Sequence, residues 1–283
     1  MKRIFLGLGA ILALLAVTAT ALPTILHAAG LHPVYEGPIV ALPGKRALII
    51  TTSHSVLAPP GETEGPETGV MASEFTHPYY TFLDNGMSVD MASVQGGQIP
   101  IDPQSLAYPI ITPEDERYLN DPDAQTKVRT SIAIAEVDIS QYDIVFISGG
   151  WGAAYDLAQS PVMATKVSEA YYGERTAVIG GVCHGVLGLV NAKDKEGNTL
   201  VAGRRMTGVT DKQIKELGIE MTPLHPEAEL RKAGALFESR TAFRDLFATH
   251  VVVDDEQRFV TGQNQNSGLE TAHRMMQVIA GRG

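Results

Sequence analysis

The sequence predicts an α/β protein in which a mainly parallel β-sheet lies between layers of helices. Short, unbroken apolar runs alternate along the chain with longer stretches whose apolar residues recur at helical spacing. The composition agrees, because 44% of the 283 residues are hydrophobic and 19% are charged, a balance that excludes disordered, collagenous and coiled-coil proteins. A chain of this length can form its core without disulfides or metals.

The first half of the predicted sheet begins at Arg46–Thr51, whose centre is an unbroken apolar run typical of a strand covered on both faces. After a loop rich in Gly, Pro and Glu at residues 58–69, helical spacing predicts a helix over Val70–Asn85. Pro78 interrupts this pattern and predicts a kink or two shorter segments. The next strand is expected at Ser88–Ser93.

The second half continues the alternation. Helices are expected around Ala124–Ala135, at Pro161–Tyr172, where proline occupies the first turn, and at Val186–Val190. The remaining predicted elements are strands at Asp143–Ser148, Thr176–Ile179, Phe247–Val253 and Arg258–Gly262 and a closing helix at Ser267–Ala280.

The N-terminus carries a separate signal in residues 1–22. Two basic residues precede an uncharged apolar stretch at residues 4–22, which predicts an export signal or an uncleaved membrane anchor, with a buried helix of the fold as a third interpretation. The first two place the protein in the periplasm or another extracytoplasmic space, or anchor it in the membrane by residues 4–22. The proline-rich residues 23–45 are expected to form an extended linker before one domain over residues 46–283.

Charge, cysteine content and motifs exclude several classes of function. With 22 basic and 32 acidic residues the formal net charge is -10, so we expect no nucleic-acid partner. The single cysteine excludes an intrachain disulfide and cysteine-rich zinc modules. The eight histidines show no tight ligand spacing, and no phosphate-binding or dinucleotide glycine motif is present. We therefore predict neither a metal site nor a cofactor.

The strongest chemical signal is the segment Gly181-Val182-Cys183-His184-Gly185, which follows a predicted strand and precedes a predicted helix. Small residues on both sides of a nucleophile permit a sharp turn that lifts its side chain above the strand ends. A thiol at this turn is expected to have a depressed pKa, because the positive end of the helix stabilises thiolate. The alternative is that Cys183 is a small buried apolar side chain.

This segment and Ile147-Ser148-Gly149-Gly150-Trp151-Gly152-Ala153 upstream resemble the ThiJ/PfpI superfamily of class I glutamine-amidotransferase-like folds. The resemblance covers residues 46–280 and is closest to the larger branch that includes glyoxalase III enzymes and a holding chaperone. It implies a flavodoxin-like sheet with Cys183 at the elbow, a small carbonyl or acyl substrate and, because many relatives pair across this face, a homodimer.

The resemblance also implies a role for three further side chains. It places the carboxyl group of Glu74 near the cysteine sulfur, His184 as general acid or base, and Asp211 as the acid that orients the histidine. From the residues alone, other interpretations stay open: a solvated helix position for Glu74, a packing role for His184, and a plain helix N-cap for the segment that contains Asp211.

The glycine pair before Trp151 is the expected oxyanion and substrate site. Gly149 and Gly150 end a predicted strand, and the backbone N–H groups of Gly150 and His184 are expected to bind the oxyanion, although such a pair is also a plain turn signal. Many relatives carry histidine where this chain has Trp151, and the larger indole is expected to change the shape and polarity of the pocket.

Together these features predict a cofactor-independent cysteine enzyme. The first hypothesis is a glyoxalase III-like conversion of methylglyoxal to lactate, or a deglycase-like reaction, by way of a hemithioacetal on Cys183. An amidase or peptidase would use the same residues through an acyl-enzyme. A third hypothesis, from another class, is a non-catalytic redox sensor or holding chaperone.

Overall fold

The fold is seen in a computed structural model that describes residues 17–18, 20–22, 24–26, 28, 30–32 and 34–282. Within these ranges the main feature is a seven-stranded sheet with strand order β3-β2-β1-β4-β5-β9-β8, in which only β8 runs antiparallel to its neighbour. Its strands are β1 (Arg46–Thr51), β2 (Ser88–Ser93), β3 (Ile132–Ala133), β4 (Ile144–Ile147), β5 (Val178–Val182), β8 (Val251–Val253) and β9 (Phe259–Gly262). A separate two-stranded sheet pairs β6 (Arg205–Met206) with β7 (Leu236–Phe237).

Helices cover both faces of the seven-stranded sheet, which confirms the predicted α/β class. They are α1 (Ala72–Asp84), α2 (Pro113–Leu119), α3 (Pro122–Arg129), α4 (Ala153–Asp156), α5 (Pro161–Tyr172), α6 (Asp211–Leu217), α7 (Pro226–Lys232) and α8 (Gly268–Ala280). Side chains of β1 alternate between two apolar cores: Ala47 and Ile49 pack with α1 and α8, whereas Leu48 and Ile50 pack with α5. Both faces are buried, which explains the unbroken apolar run in its sequence.

Several predicted elements differ in extent. The predicted helix at Ala124–Ala135 ends at Arg129, because Ser131 pairs with Gly97 and residues 132–133 then join the edge of the sheet as β3. Helix α2 was not predicted from the sequence. The strand predicted at Thr176–Ile179 is shifted: β5 begins at Val178 and continues through Gly180 and Gly181 to Val182.

The segment after Cys183 also differs from expectation. It is a 3₁₀-helix over Cys183–Leu189 rather than an α-helix at Val186–Val190. The predicted strand at Phe247–Val253 is shortened to β8, and residues 245–247 form a 3₁₀ turn. Pro78 was expected to cause either a kink or a division into two segments; helix α1 is one continuous element across Pro78, so the division is wrong.

The N-terminal predictions need correction. Most of residues 4–22 lie outside the described part of the chain, and within the described part no helix is long and apolar enough to cross a bilayer. The described part of the chain therefore does not support the prediction of export to the periplasm or of a membrane anchor in residues 4–22. Within the predicted extended linker, the described residues 24–26 and 28 are helical, whereas residues 34–42 contain no helix or strand. Residues 34–42 lie against the domain: Tyr35 stacks on His273, and Leu42 is buried in the core.

Candidate active site

Two strand ends bring the predicted site residues together. In the register of the sheet Ile147 of β4 lies beside Gly181 of β5, so the segment after β4 runs alongside the segment after β5. The first contains Gly149 and Gly150, and the second contains Cys183. Because parallel strands end at the same edge of a sheet, this edge is where side chains from separate parts of the chain can form a site.

Cys183 occupies a strained turn directly after β5. Its φ of 58° lies in the left-handed region, which a residue with a Cβ seldom adopts. The side chain is 6% exposed and lies at the wall of a cavity of about 150 Å³. The backbone N–H groups of His184 and Gly150 face its sulfur atom. The sulfur is therefore accessible from the cavity and has hydrogen-bond donors on its protein side.

The carboxyl group of Glu74 is held beside this sulfur. Glu74 is fully buried in the first turn of α1, its Oε2 accepts a hydrogen bond from the N–H of Gly149 at 2.8 Å, and its carboxyl group hydrogen-bonds with Cys183. Burial raises the pKa of Glu74 to about 8, although the hydrogen bonds oppose this shift. At neutral pH the carboxyl group is mostly protonated, and the solvated-helix alternative for Glu74 is wrong.

The backbone of Glu74 is fixed as well as its side chain. Pro78 has no N–H with which to bond the carbonyl of Glu74, four residues earlier in the helix. Ser148, the residue that follows β4, supplies the missing donor: its Oγ donates to that carbonyl at 2.8 Å. The proline that interrupts the helical pattern thus frees a carbonyl group through which α1 is attached to the edge of the sheet.

His184 is buried and neutral. Its Nδ1 lies 3.5 Å from Sγ of Cys183, and burial, together with the nearby His225, lowers the pKa of the imidazole to about 3. Its Nε2 has no hydrogen-bond partner within the described residues. For Nδ1 to accept a proton from the thiol, the imidazole must carry its own proton on Nε2.

The pKa of the Cys183 thiol differs from the expectation based on the sequence. Burial raises the pKa of Cys183 well above its usual value, and negative charge on Glu74 would raise it further, while the N–H groups of His184 and Gly150 act in the opposite direction. The sequence predicted a depressed pKa from a following helix. The 3₁₀ segment does not outweigh the loss of solvent, so the resting pair is a thiol beside a protonated carboxyl group.

The glycine pair fits closely around these groups. A Cβ atom on Gly149 would lie 2.6 Å from Oε2 of Glu74 and 2.7 Å from the backbone nitrogen of His184, closer than side-chain contacts allow. Gly150 has a φ of 91°, a conformation that favours glycine. Gly150 and Trp151 line the cavity together with Cys183 and His184. The structure thus brings the predicted oxyanion and substrate residues to one place.

Unlike the other predicted catalytic residues, Asp211 lies away from the cavity. It is the first residue of α6, is exposed, does not line the cavity, and its backbone N–H donates to Oε2 of Glu227. Thr210 caps this helix by accepting a hydrogen bond from the N–H of Gln213, as the N-cap alternative proposed. Within the described residues, no three His, Cys, Asp or Glu side chains form a group that could hold a metal ion.

Sequence reasoning missed Gln213 and His225. Gln213 is 1% exposed, lines the cavity, and has an Oε1 without a partner among the described residues. His225, which precedes α7, similarly has an unpartnered Nε2. A signal for Gln213 was available, because a helix capped by Thr210 places positions 213, 214 and 217 on one face, where Ile214 and Leu217 are apolar.

Comparisons with known proteins show the family to which the chain belongs. A sequence profile of the DJ-1/PfpI family matches residues 67–277. The glutathione-independent glyoxalase HSP31 of Saccharomyces cerevisiae is 28% identical over 246 residues, which cover 83% of this chain and 98% of that protein. Glyoxalase 3 of Candida albicans is 26% identical and covers 74% of this chain and 89% of that protein.

Solved structures give the same relationship. The Rapid Encystment Protein 24 kDa of Francisella tularensis is 31% identical, with a TM-score of 0.75 over 83% of this chain and 99% of that one. Glyoxalase III of Candida albicans has a TM-score of 0.73 at 24% identity, covering 83% of this chain and 97% of that one. The named glyoxalases among these relatives support an enzyme of this family.

Proposed function

Since the chain belongs to the DJ-1/PfpI family, we propose that it is a glutathione-independent glyoxalase that converts a 2-oxoaldehyde such as methylglyoxal into a 2-hydroxy acid, with Cys183 as nucleophile. One observation carries the proposal: a strained cysteine opens on a cavity with a protonated carboxyl group, a neutral imidazole and backbone N–H groups around it. The curated relatives that bear the name glyoxalase support the same reaction class.

The first step is addition of the sulfur to the aldehyde carbon. As Sγ attacks, its proton passes to Nδ1 of His184, 3.5 Å away, so a free thiolate need not accumulate despite the raised pKa of the thiol. The backbone N–H groups of Gly150 and His184 stabilise the carbonyl oxygen as negative charge develops on it. Return of the proton to this oxygen gives a hemithioacetal and restores the neutral imidazole.

The second step moves a proton between neighbouring carbons. The hemithioacetal carbon loses its proton to form an enediolate, and a proton is then delivered to the former ketone carbon. At neutral pH His184 is the unprotonated group and Glu74 the protonated one, so the pKa directions favour His184 as base and Glu74 as donor. As the new C=O group forms, the hydroxyl proton of the hemithioacetal carbon moves to the neighbouring oxygen. The proton held by His184 passes to the Glu74 carboxylate, so both groups regain their resting forms. The product is a thioester, which water hydrolyses to the 2-hydroxy acid and the free thiol. Overall, one 2-oxoaldehyde and one water molecule give one 2-hydroxy acid, and the reaction needs no oxidant or reductant.

The decisive experiment is turnover by the Cys183→Ala variant. We expect wild-type protein to convert methylglyoxal to lactate without glutathione and the variant to lose at least 10³-fold in kcat, because covalent chemistry needs the sulfur. The exposed Glu64→Gln is the matched control and should keep wild-type activity. Cys183-dependent cleavage of amides or peptides without oxoaldehyde turnover would instead favour the amidase or peptidase hypothesis. Client protection or thiol oxidation without any turnover would favour the chaperone or sensor.

Two finer predictions accompany this function. The exposed position of Asp211 leads us to expect that Asp211→Asn changes kcat/KM less than twofold, whereas a larger loss would support its sequence-based role in orienting His184. The homodimer implied by the resemblance is a prediction that light scattering of the purified protein would test.

A further inference from the structure

The cavity in front of Cys183 has a mostly apolar surface. Its volume is about 150 Å³. The apolar part of its wall is formed by Met71, Ile110, Trp151, Val209, Leu217 and Leu246. These side chains come from separate segments of the chain, and Trp151 is the only tryptophan in the protein.

Two polar side chains at this wall, those of Asp102 and Ser105, are already engaged in hydrogen bonds. The Asp102 carboxylate accepts hydrogen bonds from Thr68 Oγ1 and from the N–H of Gln104, and Ser105 Oγ donates to the carbonyl of Asp102. The buried amide of Gln213 is different, because its Oε1 has no partner within the described chain. The lining residues include no Lys or Arg, so the cavity offers nothing to neutralise an anionic substrate.

The size of the cavity sets the size of the group it can hold. A cavity of about 150 Å³ with a mostly apolar surface is large enough for a benzene-sized group. The methyl group of methylglyoxal would leave much of this apolar wall without contacts, and unfilled apolar space forfeits dispersion and transfer free energy. A ring-sized group would cover the wall while its carbonyl carbons reach Cys183.

We propose that the preferred substrates are uncharged 2-oxoaldehydes whose ketone carbon carries an apolar group of about phenyl size, with Trp151 as the specificity-determining residue. The inference rests on the proposed glyoxalase function. The reaction balances as before: R–CO–CHO plus water gives R–CHOH–COOH, and only R changes. The unpartnered Gln213 Oε1 is the acceptor for a hydroxyl group of the hydrated aldehyde or of the hemithioacetal.

The kinetic test compares phenylglyoxal, methylglyoxal and the anionic glyoxylate. We expect kcat/KM for phenylglyoxal to exceed that for methylglyoxal tenfold or more, since even a single methylene group in an apolar pocket discriminates by about 10-fold to 200-fold. Glyoxylate should be turned over least. Trp151→His should reduce the phenylglyoxal to methylglyoxal ratio at least fivefold. Phe243→Ala removes an aromatic ring that is 94% exposed and outside the cavity, and it should leave the ratio unchanged.

A ratio below one in the wild-type protein, or an equal shift in Phe243→Ala, would overturn the inference and leave the glyoxalase function intact. Failure to turn over any 2-oxoaldehyde would instead overturn the proposed glyoxalase function.

A binding experiment tests the cavity independently of turnover. In the Cys183→Ser variant, cyclohexyl methyl ketone should change the fluorescence of Trp151 and reach saturation at concentrations where acetone causes no change. Equal responses to the two ketones would contradict an apolar ring site.

Discussion

At the scale of single residues, Glu74 shows how burial creates chemistry that the sequence alone does not reveal. The same residue on an exposed helix would be ionised at neutral pH, but in this site it keeps its proton because solvent is excluded. The sequence located the residue through a resemblance, but its ionisation depends on the packing of α1 against Gly149 and Cys183. The sequence thus predicted that Glu74 lies beside Cys183, whereas the pKa of its carboxyl group required the three-dimensional structure.

The raised pKa of Glu74 predicts a pH-dependent loss of stability. Below pH 4.5 the carboxyl group is protonated in both folded and unfolded chains; between 4.5 and about 8 only the unfolded chain loses the proton. Rising pH therefore favours unfolding across this window, by about 1.4 kcal/mol per unit, and the loss is complete above pH 8. We expect the difference in Tm between Glu74→Gln and wild type to increase in favour of the variant from pH 5 to pH 8.

The control for this measurement is Glu64→Gln, which removes an exposed carboxyl group from the loop before α1. Its Tm should follow that of the wild type at every pH. A constant difference between Glu74→Gln and wild type over pH 5–8 would mean that Glu74 is ionised in the folded protein, and it would remove the proton donor from the mechanism.

At the scale of secondary-structure elements, the sequence located the strands better than the site helices. The strand β1 and helix α5 match their predicted bounds, because an unbroken apolar run and a proline in the first turn are local signals. Asp211 was chosen by resemblance to the family, but the phase of α6 determines which side chain faces inward. An α-helix turns by about 100° per residue, so Gln213 lies about 200° around the axis of α6 from Asp211. Gln213 is therefore buried, whereas Asp211 is exposed.

The link between α1 and the sheet predicts coupling between Ser148 and Pro78. Ser148→Ala leaves the buried carbonyl of Glu74 without a donor, and we expect a loss of about 1–3 kcal/mol in the free energy of unfolding. In Ser148→Ala/Pro78→Ala the new N–H at position 78 can bond that carbonyl within the helix. The double variant should therefore be more stable than the sum of the single effects predicts, as measured by urea unfolding. Additive effects would show that the serine stabilises the protein in another way.

At the scale of the whole molecule, the described part of the N-terminal segment is attached to the domain. Residues 23–45 were expected to be an extended linker because of their prolines, and no local signal distinguishes a free extended segment from one that packs. The packing depends on α8, more than 200 residues away. The ring of Tyr35 stacks on His273 with 4.0 Å between centroids, and the Nε2 of Gln277 donates to its hydroxyl group at 2.6 Å.

This attachment predicts that Tyr35 contributes to the stability of the domain. Removing the stacked ring and its hydrogen bond in Tyr35→Ala should lower the free energy of unfolding by about 1–3 kcal/mol, because an aromatic contact and a hydrogen bond are lost together. Glu36→Ala changes the next, exposed residue and should alter stability by no more than about 0.5 kcal/mol. Urea unfolding of the full chain measures both. A free linker would give no change in either variant, so an unaltered midpoint for Tyr35→Ala would contradict docking of this segment on α8.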